Sequence, residues 1–244
     1  MLNVKMQQNW IDRLLPEGFP FPSSTIISGP GGSGKPLIGI LFVSAWLKVG
    51  GNVTFLLINS DRDYAEKILK IYNIQPTDYN EKLCFIDFDP KIDTIEGENC
   101  NILKANLLKP EVWDQSLKLA SNTLADNNSN LIFGAALNLL FFSKTYRDVL
   151  VSKLVSMLKK ENCMFSLSTN IFQDKVRLLE NTADNLMFAR HEKPMRLFLR
   201  IAKMKGVNFL KDEAEVSLSE KELLNLRTES EKARKYLIPI ISKI

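Results

Sequence analysis

The octapeptide GPGGSGKP at residues 29–36 constrains the fold of this chain more than any other stretch of its sequence. It follows the short apolar run Ser24–Ser28 and precedes a segment with apolar residues at helical spacing that stops at Gly50–Gly51. The pattern G-x-x-x-x-G-K between a strand and a helix is typical of a phosphate-binding loop. Glycines there let backbone N–H groups turn towards an anion at the helix N-terminus, and the lysine adds a positive charge. The sequence therefore predicts a nucleotide-binding loop formed by Gly29, Gly31, Gly32, Ser33, Gly34, Lys35 and Pro36.

Strand and helix patterns alternate along the next part of the chain, which is typical of an α/β protein with a mostly parallel sheet flanked by helices. The predicted strands are Val53–Ile58, Cys84–Asp87, Leu131–Ala135 and Cys163–Thr169, and the predicted helices are Asp61–Ile74, Glu111–Asn128 and Tyr146–Lys160. Two further predicted strands, Asp184–Ala189 and Arg196–Met204, are joined by the short turn HEKP, so we expect antiparallel edge strands. The polar stretch Asp89–Pro110 is expected to be an irregular surface excursion.

A charged, helix-prone tail follows Gly206, and its composition differs from that of the preceding strands and helices. Ser219, with acidic residues after it, is a typical helix start. We therefore predict two units, a phosphate-loop domain over residues 1–210 and a C-terminal helical extension over residues 211–244. The extension either packs on its own domain or contacts a protein partner or a second copy of the chain, and the sequence leaves both alternatives open.

Cysteine and histidine usage argues against disulfide and metal chemistry. The three cysteines, Cys84, Cys100 and Cys163, form no CxxC pair, and His191 is the only histidine in the 244 residues. The net charge of +4 is dispersed and neither requires nor excludes nucleic acid. The longest apolar run, Leu131–Phe142, is too short to span a bilayer, and the first ten residues lack the apolar core of a signal peptide. We expect a cytoplasmic protein with no metal site and no membrane contact.

The segment IDRLLPEGFPFPSSTIISGPGGSGK resembles the segment that leads into the phosphate loop in the KaiC-like and RadA-like branch of the RecA superfamily of P-loop ATPases. The matching positions are Asp12, Leu14, Leu15, Gly18 and Pro20. The stretch VTFLLINSDRDYAEKIL resembles the strand and helix that carry the family's catalytic acid pair, and ENTADNLMFA and RIAKMKG resemble the family's late strands. The likeness therefore covers about Trp10 to Val207. It implies a RecA-like P-loop core, and in the family this core binds ATP, usually between the subunits of a ring.

The chain departs from the family pattern at the positions that handle metal and water. Pro36 stands where the family has the Ser or Thr whose hydroxyl binds Mg²⁺. The Walker B aspartate position falls on Gly134, followed by Ala135, and the catalytic glutamate position falls on Asn59. These departures predict a pseudo-ATPase with no catalytic residues, which binds ATP or ADP without a well-formed Mg²⁺ site, or binds no cofactor, and acts as a regulatory or scaffold protein.

A family Lys-x-Arg pair that reaches the neighbouring subunit's nucleotide corresponds here to Lys203 and Lys205, which are therefore candidates for a trans-acting role. Because the shared site is altered, we expect a monomer or a dimer rather than a ring.

Two alternatives to the pseudo-ATPase remain open at this point. A slow or atypical ATPase would use displaced acids, for which Asp61 and Asp87 are the candidates. A RadA-paralogue-like accessory protein would bind single-stranded DNA through the predicted loops Phe142–Arg147 and Asn170–Arg177. Its candidate phosphate contacts are Lys144, Arg147, Lys175 and Arg177.

Overall fold

The computed structural model describes residues 2–99, 101–125 and 129–244. The strands are β1 (Leu2–Val4), β2 (Phe19–Phe21), β3 (Ser24–Gly29), β4 (Asn52–Leu57), β5 (Leu83–Phe88), β6 (Glu96–Asn99), β7 (Ile102–Ala105), β8 (Asn130–Ala135), β9 (Cys163–Ser168), β10 (Asn185–Glu192), β11 (Arg196–Lys203) and β12 (Glu213–Glu215). The α-helices are α1 (Asn9–Leu14), α2 (Lys35–Lys48), α3 (Arg62–Ile71), α4 (Pro110–Thr123), α5 (Arg147–Lys160), α6 (Gln173–Thr182), α7 (Glu220–Lys232) and α8 (Ile238–Ile241). Two 3₁₀ turns lie at Pro76–Tyr79 and Leu137–Phe142.

One large sheet organises the molecule. Among the described residues it has ten strands, in the order β12-β11-β10-β3-β9-β8-β4-β5-β7-β6. The strands from β10 to β7 run parallel to one another, whereas β11, β12 and β6 pair antiparallel with their neighbours. This confirms the predicted fold class, a mostly parallel sheet flanked by helices with antiparallel edge strands. Because the inner strands are parallel, their carboxyl ends all lie at the edge that carries the phosphate loop.

Two predicted irregular segments are in fact regular. The stretch Asp89–Pro110, predicted to be an irregular excursion, contains β6 and β7, and β7 pairs in parallel with β5. Each of these strands has only four residues, so their pattern is too short to stand out in a polar stretch. The predicted loop Asn170–Arg177 also contains the start of α6, which places Lys175 and Arg177 on a helix. The helix predicted over Glu111–Asn128 ends at Thr123, and residues 126–128 lie outside the described part.

Alternating residues of the buried strands face two separate hydrophobic layers, one on each side of the sheet. In β4, Val53, Phe55 and Leu57 point into the layer that contains α2 and α3, and Leu56 points into the opposite layer. Helices α4, α5 and α6 supply that second layer. This alternation is what the pleat of a strand buried on both faces requires.

Helix α2 is apolar on nearly all its faces and is buried along almost its whole length. Its outer side is covered by the N-terminal strand β2, where Phe19 packs 4.8 Å from Phe42 and Phe21 stacks 4.6 Å from Trp46 (ring centroids). The helix that follows the phosphate loop is therefore held between the large sheet and the two-stranded sheet of β1 and β2, which fixes the direction of its N-terminus.

No helix in the described ranges is both long enough and apolar enough to cross a membrane.

Candidate functional site

The predicted phosphate loop joins β3 to α2, as the sequence pattern indicates. Gly34, the residue before α2, has a left-handed backbone with φ +68°, and a Cβ there would lie 2.3 Å from Cδ1 of Leu197. Glycine is therefore required at this position by both the backbone and the neighbouring side chain. The buried Ser33 hydroxyl donates to the carbonyl oxygen of Pro30 at 2.8 Å, which closes the turn. A glycine-rich turn at a helix N-terminus is a common place for a protein to bind an anion.

Lys35 is buried within this loop. Its Nζ donates to the carbonyl oxygens of Gly29 at 2.9 Å and Pro30 at 2.6 Å, and lies 3.2 Å from the Ser33 Oγ. Burial lowers the pKa of Lys35 to about 8. Within the described ranges no carboxylate lies at ion-pair distance from this lysine. A buried ammonium group without a counter-charge favours the binding of an anion beside it.

A cavity of about 580 Å³ opens above the loop at the carboxyl edge of the sheet. This volume lies within the usual range for small-molecule sites. Its walls include the loop itself, residues just beyond the central strands, the 3₁₀ turn after β8, the start of β11 and the C-terminal segment. The lining residues that the argument below uses are Lys35, Pro36, Asn59, Tyr64, Leu223, Leu226, Arg227, Ser230, Glu231 and Arg234.

Of the three positions at which the sequence departs from the pattern it resembles, Pro36 and Asn59 line this cavity and Gly134 does not. Pro36 lines it from the first turn of α2 and offers neither a hydroxyl nor an N–H group. Asn59 lines it just beyond β4. Gly134 is buried in β8, where a Cβ would lie 3.0 Å from Cδ1 of Leu137. Glu231 is the one carboxylate among the described residues that line the cavity. These residues offer no carboxylate at the family's metal and water positions.

The described residues contain no cluster of three or more His, Cys, Asp or Glu side chains placed to hold a metal ion. The donor set at the loop, which is a lysine, backbone amides and a serine already bonded to a carbonyl, suits an anion rather than a cation.

The two displaced acids have other contacts. The Asp61 carboxylate accepts a hydrogen bond from the backbone N–H of Tyr64 at 2.9 Å and so caps α3. Asp87, at the end of β5, forms an ion pair with Lys235. Neither carboxylate lines the cavity.

The C-terminal segment, residues 219–244, crosses the carboxyl edge of the sheet and forms one wall of the cavity. Ser219 and Glu222 form a capping box at the start of α7, which confirms the predicted helix start. Leu223 and Leu226 of α7 are buried in the core layer that contains α2, and Ile241 of α8 is buried in the opposite layer. Of the two alternatives for this segment, packing on its own domain is therefore observed.

Polar contacts fix the C-terminal segment at several points. Glu229 on α7 pairs with Lys67 on α3 at 3.1 Å. The backbone N–H of Lys235 donates to the carbonyl oxygen of Asn59 at 3.3 Å. The N–H of Thr145 donates to the carbonyl oxygen of Ile244 at 3.3 Å. Sequence reasoning missed that this segment contributes Arg227 and Arg234 to the site. The spacing of its leucines indicates a helix with one apolar face, but nothing in the sequence says where that face packs.

Lys203 and Lys205 lie away from the phosphate loop of their own chain. The Nζ of Lys205 is 2.9 Å from Asp184, and the Nζ of Lys203 donates to the carbonyl oxygen of Asn181 at 3.4 Å. Both contacts are near the amino end of β10, at the opposite edge of the sheet from the loop. A trans-acting role of these lysines towards another subunit stays a prediction.

The four candidate DNA contacts differ in whether they already contact other residues of the chain. Arg147 stacks 5.0 Å from the Phe172 ring centroid and donates from Nε to the carbonyl oxygen of Phe141 at 2.6 Å. Lys175 pairs with Asp148 at 2.9 Å. Lys144 and Arg177 are exposed. Two of the four cations therefore already have partners within the chain.

No protein-family model and no curated protein sequence matches this chain. A solved structure does resemble it, that of a KaiC-like protein from the hyperthermophilic archaeon Pyrococcus horikoshii OT3. The TM-score is 0.64, the sequence identity is 14%, and the match covers 89% of this chain and 95% of the other. At this identity the likeness shows the fold alone, and it agrees with the predicted KaiC-like fold.

Proposed function

We propose that this chain is a pseudo-ATPase of the RecA fold, which binds a nucleotide at the phosphate loop and does not hydrolyse it. The observation that carries the proposal is the composition of the cavity. A buried lysine without a counter-charge lies in a loop of phosphate-binding shape, while the surrounding positions lack the acids that ATP hydrolysis needs.

The binding half of the proposal rests on the loop. Backbone N–H groups at the start of α2 and the ammonium of Lys35 together form an anion site, and the cavity above it has room for a small ligand. The three contacts that Lys35 now makes are to neutral oxygens, so a phosphate oxygen is a stronger partner for it. We expect the ammonium to turn from the loop carbonyls towards the bound phosphate.

The non-hydrolysing half rests on Pro36, Gly134 and Asn59. Phosphoryl transfer in P-loop proteins relies on a Ser or Thr and an acid to hold Mg²⁺, and on a polar residue to orient the attacking water. Loss of one such group typically lowers a rate by several orders of magnitude. Asp61 and Asp87, the acids of the alternative reading, have other contacts and do not reach the cavity.

Calorimetric titration of ATP and ADP into the protein, with and without Mg²⁺, tests the proposal. We expect stoichiometric binding in the absence of Mg²⁺ and turnover below about one per minute, far under typical enzyme rates. Lys35→Met, which keeps an apolar stem of similar length, should lose binding. Lys48→Met, at the other end of the same helix, removes an equal charge and should bind normally.

Two results would contradict the proposal. One is the absence of binding by any nucleoside di- or triphosphate to folded wild-type protein. The other is Mg²⁺-dependent ATP turnover above about one per minute that Lys35→Met abolishes, because a working enzyme rather than a pseudo-enzyme would then occupy this site.

The biological role we propose is regulatory or structural, exerted from the cytoplasm through contacts with a protein partner or a second copy of the chain. Exposed apolar side chains on the C-terminal segment support this part. Leu224 is 54% exposed and Tyr236 is 76% exposed, although neighbouring leucines of the segment are buried. Size-exclusion chromatography with light scattering, with and without ATP, would show whether ligand binding changes self-association.

A further inference from the structure

We propose that Arg227 and Arg234 of the C-terminal segment take the place of the metal, so that the site selects a metal-free nucleoside di- or triphosphate over its Mg²⁺ complex. This inference rests on the proposed nucleotide binding at the phosphate loop. Beyond that function, it specifies which form of the nucleotide binds, the metal-free one, and which residues select this form.

Both arginines line the cavity above the phosphate loop, which Lys35 also lines. Arg227 is on α7, where its Nε is 3.2 Å from the Glu231 carboxylate. Arg234 follows α7, and its guanidinium lies 5.5 Å from the centroid of the Tyr236 ring. No carboxylate of the described ranges is within ion-pair distance of Arg234. The Arg234 guanidinium thus has no ion pair within the described ranges, and the Arg227 guanidinium has only the exposed pair with Glu231.

The charges around the cavity favour a ligand with several negative charges. Three cations, Lys35, Arg227 and Arg234, line it, and Glu231 is the one described carboxylate there. The excess of two positive charges matches the two that a bound Mg²⁺ would otherwise bring to a polyphosphate. A chelated Mg²⁺ would also face two guanidinium groups and no described acid other than Glu231, so charge repulsion would oppose it.

The wall that carries the arginines is anchored independently of any ligand. Leu223 and Leu226 are buried, and the Lys67–Glu229 pair joins α7 to α3. The hydroxyl of Tyr64 on α3 is hydrogen-bonded to Ser230 on α7, and burial raises the pKa of Tyr64. The two arginines therefore approach the cavity from a fixed backbone and need only side-chain rotation to meet a phosphate. Guanidinium groups suit this role because their planar donors pair with two phosphate oxygens at once.

The experiment compares ATP affinity in EDTA with ATP affinity in excess Mg²⁺, using folded full-length protein. We expect wild-type protein to bind metal-free ATP at least about tenfold more tightly than Mg-ATP, the usual size of one charge-assisted contact. Arg227→Ala and Arg234→Ala should each weaken metal-free binding by about tenfold, and the double variant should bind both forms equally. Arg→Lys at either position should recover part of the preference.

Lys221→Ala is the matched control, because it removes one positive charge from an exposed position of α7 that does not line the cavity. It should behave like the wild type. The inference is overturned if ATP binds equally with and without Mg²⁺, or if the arginine variants keep the wild-type preference. Either result leaves the proposed function standing. Failure of the wild type to bind ATP in both conditions would instead refute the proposed function itself, and this inference with it.

Discussion

Lys235 forms an ion pair with Asp87, and its backbone N–H donates to the carbonyl oxygen of Asn59 at 3.3 Å. One residue of the C-terminal segment thus contacts the ends of two neighbouring central strands, β4 and β5. Asp87, an acid that an atypical ATPase would need for its metal, instead holds this segment across the edge of the sheet. The side chains of the pair are only 21% and 29% exposed, so solvent screens it less than a surface pair.

The first prediction concerns this ion pair. Lys235→Met or Asp87→Asn should each lower the free energy of unfolding by about 1–3 kcal/mol, because each leaves one part-buried charge without its partner. The double variant should lose less than the sum of the two, since removing both charges leaves no orphan. Urea unfolding of the wild type, the two single variants and the double variant measures this coupling. Lys232→Met, which breaks an exposed pair with Glu229 on α7, should leave the free energy of unfolding close to that of the wild type. If the two single effects add up to the effect of the double variant, the Lys235–Asp87 ion pair does not contribute to stability.

The second prediction concerns the pH dependence of ligand affinity. The pKa of Lys35 in the free protein is about 8, so the lysine is mostly protonated at pH 7 and mostly neutral at pH 9. A bound phosphate stabilises the charged form and raises this pKa, so affinity should fall as pH rises through 8, by roughly tenfold between pH 7 and 9. The phosphates lose their last proton near pH 6 and do not titrate in this window.

The other charged groups at the cavity do not account for such a fall. Guanidinium groups as a class stay charged in proteins, and burial raises the pKa of Tyr64 further above this range. Lys35→Arg, whose charge does not titrate below pH 12, should bind with a flat profile from pH 7 to 9. A wild-type affinity that is constant over this range would show that Lys35 does not contact the ligand.

The sequence predicts the phosphate loop and the central parallel strands because those features are local. A glycine pattern determines the loop, and continuous apolar runs identify strands that are buried on both faces. The positions of Arg227 and Arg234 cannot be predicted in this way. On the sequence they are ordinary charges on an amphipathic helix, and only long-range packing of Leu223 and Leu226 brings them over the loop. Strands β6 and β7 could not be predicted from the sequence because each has only four residues. Their positions depend on pairing, of β7 with β5 and of β6 with β7, rather than on a local pattern.

The third prediction separates two glycines of the phosphate loop. Gly34→Ala should lower the free energy of unfolding by about 1–3 kcal/mol and weaken nucleotide binding, since the added methyl meets Leu197 and the backbone φ is +68°. Gly31→Ala is the matched control, because a Cβ at Gly31 meets no atom within 4 Å. It should leave stability within about 0.5 kcal/mol of the wild type. Thermal unfolding and ATP titration measure both effects. Equal behaviour of the two variants would show that the αL turn at Gly34 is not needed.

The last prediction is that the residues that the resembled family has at these three positions do not by themselves create a metal site in this chain. Gly134→Asp in a background with Pro36→Ser and Asn59→Glu should gain no Mg²⁺-dependent turnover. A Cβ at position 134 already lies 3.0 Å from Cδ1 of Leu137, so the carboxylate would enter a packed, buried strand.

Gly134→Ala tests the steric part of this cost, which should be about 1–3 kcal/mol of unfolding free energy. Gly134→Asp should cost more, and burial should raise the pKa of the new carboxyl, so the extra cost should shrink as pH falls and the group becomes neutral. Urea unfolding of both variants at pH 5 and 8 measures the difference. A stable triple variant that hydrolyses ATP with Mg²⁺ would show that Leu137 makes room for the carboxylate and would contradict this prediction.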